Sequence, residues 1–314
     1  MNIGYYILYP IAYAVSLLPY RVLYMIADLL YLLVYRVVRY RRRVVRNNLA
    51  SSFPEKSDDE RRDIERKFYR WLCDYFVETL KLLSVSRQTL KKHFHFTNIE
   101  LLEQYFDKGQ SCAAMLGHYC NWEYLSATKI YFQRWEQQSV LGLIYHPLRN
   151  KAVDRLFYRL REHQGGEPIA KQDILRRLVA LRRENRRTIF GYILDQSPKW
   201  ENIHLWLPFM NHDTAVFTGA ERITRKMQDA VVYVDIERPR RGQYVSTLHL
   251  ITDRPQDLPE HELTRLSFQW LEKSIRRAPQ YYLWTHNRWK RTHEEYDRMV
   301  NEGKLKAKSH NKQP

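Results

Sequence analysis

Apolar and polar positions along this chain divide it into a hydrophobic start, an alternating middle and a polar end. From Ile3 to Leu18 the sequence is almost uncharged but contains Pro10, and after Pro19 and Arg21 a second apolar run, Val22 to Tyr35, contains Asp28. Each run is shorter than the ~20 residues of a straight transmembrane helix, so the pattern predicts a tilted, re-entrant or interfacial helix pair. Its many tyrosines suit a headgroup layer. Without a basic start or a small-residue cleavage site it does not read as a cleaved signal. The alternative is a hydrophobic hairpin packed on the rest of the protein.

Beyond this segment, Ser57 followed by Asp58, Asp59 and Glu60 predicts a capped helix start. The helix Asp58–Leu83 carries Phe68, Leu72, Tyr75 and Phe76 at helical spacing, which predicts a core-facing stripe. Strands are predicted at Ser111–Gly117, Ser139–Tyr145, Thr188–Leu194, Ala230–Ile236 and Tyr244–Ile251, separated by helical patterns such as Asp173–Glu184 and Ala215–Lys226. Such alternation predicts an α/β fold. The division is then 1–46, a membrane-associated helical anchor with a basic flank; 47–300, one catalytic domain; and 301–314, a lysine-rich disordered tail.

Charge adds a partner class. The formal net charge of +17 admits nucleic acid or an anionic membrane surface with acidic proteins. RVVRYRRRVVR, from Arg36 to Arg46, directly follows the apolar N-terminus, a juxtaposition expected of a membrane anchor whose basic residues meet anionic headgroups. No zinc-finger spacing or RNA-binding aromatic signature supports nucleic acid, so none is expected as a partner. The positive-inside tendency puts the following domain on the cytoplasmic side of the membrane. Three cysteines, Cys73, Cys112 and Cys120, offer no disulfide or zinc spacing and agree with a reducing compartment.

Chemistry concentrates in MLGHYCNWEY. The apolar run Ser111 to Leu116 reads as a buried strand, Gly117 permits a turn at its end, and His118 and Glu123 follow. In a continuous helix, positions five apart lie about 140° apart, so a turn must intervene if the two are to meet. Asn121 as N-cap would leave His118 in the loop and put Glu123 in the first helical turn, where a carboxylate stays ionised and orients the imidazole. A ring held at one nitrogen takes a proton from a hydroxyl at the other, which is general-base chemistry. Cys120 reads as a small buried residue, not a nucleophile.

Three strand ends supply polar residues: Gly117-His118, Tyr145-His146 and Leu194-Asp195-Gln196. Carboxyl ends of parallel strands converge on one cleft, so His118 and Asp195 can share a site. Asp195 is the candidate second acid, binding substrate or an arginine such as Arg161; its structural role would be to cap the turn before Pro198. His146 and His212 are expected in loops, and Trp284, His286 and Trp289 are expected to pack. His118, Glu123, Asp195 and His212 match no recognised metal-ligand spacing, and neither a metal nor a cofactor is expected.

These residues resemble a known family, the late acyltransferases of lipid A biosynthesis, within the lysophospholipid acyltransferase group marked by H-x-x-x-x-D/E. Here the motif reads His118-Tyr-Cys-Asn-Trp-Glu123. IYHPLRN, Ile144 to Asn150, followed by Arg161, is similar to the family's substrate-facing segment, although Arg159 can also take the arginine's place. GYILDQSP, Gly191 to Pro198, LPFMNHDTAVFTGAERIT and the closing PQYYLWTHNRWK, Pro279 to Lys290, complete five ordered matches.

The resemblance implies a mixed sheet flanked by helices, glycerolipid acyltransferase-like, and transfer of a fatty acyl group from a thioester, usually on acyl carrier protein, to a hydroxyl of an anionic membrane glycolipid. The acceptor expected is a lipid A precursor at the inner membrane. His118 would deprotonate the hydroxyl and Glu123 would steady the imidazolium, with Asn121, Arg149, Asn150, Arg161, Asp195 and Gln196 binding substrate. The same chemistry on a lysophospholipid, an aminolipid or a glycosyl phospholipid, or a non-catalytic lipid-binding protein, are the alternatives.

Overall fold

A computed structural model describes residues 3–305. The N-terminal segment forms α1 (Ile3–Leu17) and α2 (Tyr20–Tyr31), the latter running into a π-helical turn, Leu32–Val37. No single helix among the described residues is long and apolar enough to cross a membrane, and the chain bends by 119° between the two arms, Gly4–Leu17 and Tyr20–Val37. The break falls at Pro19, which lacks the N–H needed to continue α1. Leu23, Ala27 and Tyr31, four residues apart, make the buried stripe of α2 and pack toward the long helix α4.

After α3 (Arg42–Ser52), α4 (Asp58–Lys81) begins with the predicted Ser57 cap, strengthened into a reciprocal capping box by Glu60. Phe68, Leu72 and Tyr75 are buried as expected, but Phe76 is 51% exposed and leaves the expected stripe. Then follow α5 (Arg87–His93), β1 (Phe94–Phe96), α6 (Glu100–Asp107), β2 (Cys112–Leu116), a 3-10 helix (Trp122–Tyr131) and β3 (Ser139–Tyr145). Continuing, α7 (Lys151–His163), β4 (Glu167–Ala170), α8 (Ile174–Arg183) and β5 (Arg187–Ile193) lead to a hairpin of β6 (Leu205–Phe209) and β7 (His212–Val216). The chain ends with α9 (Gly219–Met227), β8 (Ala230–Arg240), β9 (Gln243–Thr252), α10 (Glu262–Arg277) and α11 (His293–Asn301).

The main sheet has the order β1-β9-β8-β2-β5-β3-β4 and is parallel except for the β8–β9 pair. Helices flank it, so the architecture is α/β with a parallel-dominated sheet. β2 is central and buried on both faces, which is why CAAML is apolar without alternation. The helix expected over Ala215–Lys226 is corrected: Ala215 and Val216 belong to β7, and α9 starts only at Gly219. The tail expected over 301–314 falls largely outside the described residues; Asn301 closes α11.

The basic flank divides in two. Arg42 and Arg46 grip the buried Glu65 at 3.0 and 2.9 Å, tying α3 to α4, and Arg41 donates to the Thr285 carbonyl, although Arg41 and Arg46 are themselves exposed. Arg36, Arg39 and Arg43 are exposed.

The β8–β9 hairpin turns at Gly242, whose φ of +74° disfavours any side chain and where a Cβ would run into the Tyr24 hydroxyl of α2. Its carbonyl accepts from His93 Nδ1 at 2.6 Å. Gly242→Ala is therefore expected to destabilise the fold by about 1–3 kcal/mol. A chemical denaturation series compared with the parent protein checks this, and an unchanged midpoint would remove the hairpin's role in seating α2.

Candidate active site

Strand register builds the site. β2 and β5 are adjacent and parallel with Leu116 opposite Ile193, and the Leu194 N–H continues the ladder to the Leu116 carbonyl at 3.0 Å. His118 and Asp195 each lie two residues beyond these partners, so the two side chains leave the sheet edge together. Asp195 Oδ1 lies 2.7 Å from His118 Nδ1, and its Oδ2 accepts the His118 backbone N–H at 3.1 Å. This pairing puts the proton of the neutral ring on Nδ1 and leaves Nε2 with its lone pair. The Gln196 amide nitrogen is 3.3 Å from that Nε2, and the Trp122 ring meets the imidazole edge-on at 5.0 Å.

Burial alone would raise the Asp195 carboxyl, but the hydrogen bonds and charge of His118, with His286 beyond, bring it down to about 2. It is an anion throughout the neutral range. His286 is pushed down to about 4 by burial, so its neutral Nε2 accepts the Ser197 N–H at 3.3 Å. The His118 side chain is 14% exposed, against 3% for Asp195. One ring nitrogen is thus locked from behind while the ring retains access to the surface.

The loop bearing His118 is strapped by the C-terminal segment. Cys120 N–H donates to the Tyr281 carbonyl at 2.9 Å, and Leu283 N–H to the His118 carbonyl at 3.1 Å. Gly117 serves by its lack of a side chain, not by a glycine-only turn: a Cβ there would collide with the buried Leu271 of α10. The left-handed residue is Cys120, at φ +51°, which bends the chain before the 3-10 helix. Its thiol is fully buried, donates to the Ile236 carbonyl, and is pushed well up by burial, so it is not a nucleophile.

The expectation that Glu123 holds His118 is corrected. Both Glu123 oxygens accept from Arg161, at 2.9 Å from Nε and 2.6 Å from Nη2. Arg161 belongs to the last turn of α7, whose Ala152, Leu156 and Leu160 stripe is buried. The pairing of acids is therefore exchanged relative to the sequence reading: Asp195 takes the histidine, Glu123 the arginine. Arg159 sits on the other side of the helix and pairs with Glu162 at the surface.

The remaining candidates separate by partner. Asn121 does not cap the 3-10 helix with its side chain but donates to Glu78 at 2.9 Å. Asn150 is the cap of α7, accepting the Ala152 and Val153 N–H groups, and Arg149 is exposed. His146 is an exposed loop residue, whereas His212 begins β7 and stacks on Trp289 at 4.2 Å. Trp284 is fully buried. Sequence reasoning missed His286 as a neighbour of the Asp195 carboxylate; the WTHNRW run was its only signal. Among the described residues, no three His, Cys, Asp or Glu side chains cluster as metal ligands.

Next to the His118 loop, though lined by neither His118 nor Asp195, is a narrow cavity of about 60 Å³, walled by apolar side chains from β2, β3 and β5 and by the Glu123–Arg161 ion pair. Leu116 and Trp122, which flank the His118 loop in sequence, are part of its wall. Gly191 also lines it, and a Cβ there meets nothing closer than Leu116 at 3.9 Å.

A family model described as bacterial lipid A biosynthesis acyltransferase matches residues 2–291. A lipid A biosynthesis acyltransferase of Haemophilus influenzae is 23% identical over 239 residues, covering 76% of this chain and 72% of that protein. Taken with a histidine poised at a strand end beside a greasy slot, this match over nearly the whole chain places the protein in the bacterial lipid A biosynthesis acyltransferase family, and it is an acyltransferase.

Proposed function

We propose that the protein transfers a fatty acyl chain from an acyl carrier protein thioester to a hydroxyl of a lipid A precursor, at the inner face of a membrane. The observation that carries this reading is His118, anchored at Nδ1 by Asp195 in a loop whose neighbours Leu116 and Trp122 wall an apolar slot. The acceptor hydroxyl gives its proton to Nε2 as its oxygen attacks the thioester carbonyl. Collapse of the tetrahedral adduct breaks the carbon–sulfur bond, and the imidazolium returns the proton to the departing thiolate. Asp195 is a positioning residue: it holds the tautomer and stabilises the imidazolium without itself taking the proton. Arg161, the cation in the cavity wall, is assigned to the oxyanion.

Membrane association is supported by the outer faces of the N-terminal arms. Ile7, Ile11, Leu17, Met25, Leu29, Val37 and Val38 are each more than half exposed, an apolar expanse that a soluble monomer rarely presents. The bent pair lies on the interface, not across it, with Arg36, Arg39 and Arg43 meeting anionic headgroups. Met25→Glu with Leu29→Glu is expected to weaken partition onto anionic vesicles by roughly tenfold or more. Flotation assays check this, and undiminished partition would argue against the interfacial face.

Purified full-length protein with acyl carrier protein thioesters and a lipid A precursor should show transfer, and His118→Ala should abolish it. Asp195→Asn is expected to lower kcat by about 10²–10⁴-fold, because the amide no longer fixes the tautomer, with little loss of stability since a neutral ring stays behind. Glu123→Gln is expected to differ in kind, costing about 3 kcal/mol of stability, because it strands the Arg161 cation. Kinetics and thermal unfolding on the same preparations separate the two. If Asp195→Asn keeps its rate, the histidine's anchor is misassigned.

The slot also predicts a chain-length effect. Gly191→Leu fills open space in the wall, so preference should move toward shorter acyl chains with the rate on short donors largely kept. A panel of thioesters of graded length tests this, and an unmoved preference would place the acyl chain elsewhere.

A further inference from the structure

A buried acid that the mechanism does not use stands behind the His118 loop. Glu78, in the last turn of α4, is completely enclosed. Trp71, Tyr75 and Glu78 share one face of that helix, and the face packs on the loop: the Trp122 ring lies 4.4 Å from Tyr75 and 6.5 Å from Trp71. Glu78 accepts hydrogen bonds from three separate segments. Its Oε2 takes the Asn121 amide at 2.9 Å and the Tyr244 hydroxyl of β9 at 2.7 Å, and its Oε1 takes the Tyr24 hydroxyl of α2 at 3.0 Å. Arg238 Nη2 of β8, 3.6 Å away, supplies a counter-charge that it shares with Asp74.

Two features set this acid apart from ordinary packing. Burial raises the Glu78 carboxyl above its usual range, against the pull of Arg238, Tyr244 and Asn121. An apolar side chain of similar size serves a core as well or better, so what the carboxylate adds is geometry, with several donors converging on one fixed point. The second feature is Asn121 itself. It lies three residues past His118, directly after the left-handed Cys120. Its Oδ1 is buried without a partner, so the bond to Glu78 is the one hydrogen bond of its side chain among the described residues. The C-terminal segment holds the loop by backbone bonds at His118 and Cys120, and Glu78 holds it from the α4 side.

We propose that Glu78 is a positioning residue for acyl transfer, fixing the His118 loop through Asn121 at a place that α2 sets through Tyr24. The inference rests on the reading of His118 as the base. Tyr24 is itself held, with Arg241 over its ring at 4.6 Å and its hydroxyl filling the space above Gly242. Met25, its neighbour, stands on the exposed apolar face of α2. One carboxylate is thus the common point of α2 and of the loop that carries the base, and misplacement of a base by even 1 Å costs about 10²-fold in rate.

The test compares steady-state transfer by the parent protein with Asn121→Ala, Glu78→Ala, the double variant, Glu78→Gln and Tyr24→Phe, each below its unfolding temperature. Asn121→Ala and Glu78→Ala should each lower kcat by about tenfold or more with KM for donor and acceptor little moved. The double variant should be no slower than the slower single one, because both cut the same contact. Glu78→Gln should recover most of the rate, since its carbonyl still accepts from Asn121 and the Tyr24 hydroxyl can accept from its amide. Tyr24→Phe should lower kcat by about threefold, the worth of one hydrogen bond at the far end of the tether. Losses that multiply in the double variant, a glutamine variant as slow as the alanine one, an Asn121→Ala defect confined to KM, or an unaltered kcat in Tyr24→Phe would each overturn the proposal. Amide hydrogen exchange over residues 117–122, without substrate, gives an arm free of catalysis. Exchange should quicken in Asn121→Ala and Tyr24→Phe, and an unaltered rate would overturn the tether even where Glu78→Ala fails to fold. If His118→Ala keeps full activity, the base assignment fails, and the exchange arm still decides whether Glu78 and Asn121 hold the loop.

Discussion

The hydrogen bond between Asp195 and the Nδ1 of His118 is the constraint on which the site depends. It exists because β2 and β5 are neighbours, parallel and in register, so residues two beyond Leu116 and Ile193 emerge at the same sheet edge. A buried carboxylate in that place is stable only with its donors in place, and a ring tied at Nδ1 can act only through Nε2. Around this pair stand the strap from the C-terminal turn, the Trp122 edge and the slot walled by the same strands.

The second ion pair does a different job with similar groups. Glu123 and Arg161 form a bidentate pair with side chains 4% and 18% exposed, tying the 3-10 helix to α7. Since α7 also packs on α1, the N-terminal helix pair and the arginine in the cavity wall share one rigid neighbour.

Much of this was legible. A fully apolar run followed by Gly117-His118, and another followed by Asp195-Gln196, gave two of the sheet's central strands and predicted that both polar ends share a cleft. What the sequence concealed was which acid faces which base. The H-x-x-x-x-E spacing suggested a His118–Glu123 contact, but the left-handed Cys120 and the tighter 3-10 winding turn Glu123 toward α7. Only tertiary geometry reveals that exchange. The β6–β7 hairpin was missed because its turn uses Met210 and Asn211, both at positive φ, with no glycine to announce it, and Pro208 obscures β6. β4 is only four residues long and contains Pro168, tolerable at the sheet's edge but silent as a pattern.

The most direct measurement is the ring-nitrogen chemical shift of His118 in protein labelled with ¹⁵N-histidine. The account predicts a neutral imidazole protonated at Nδ1, unchanged in Glu123→Gln and lost in Asp195→Asn. A ring protonated at Nε2 in the parent protein, or a tautomer that depends on Glu123 and ignores Asp195, would contradict it.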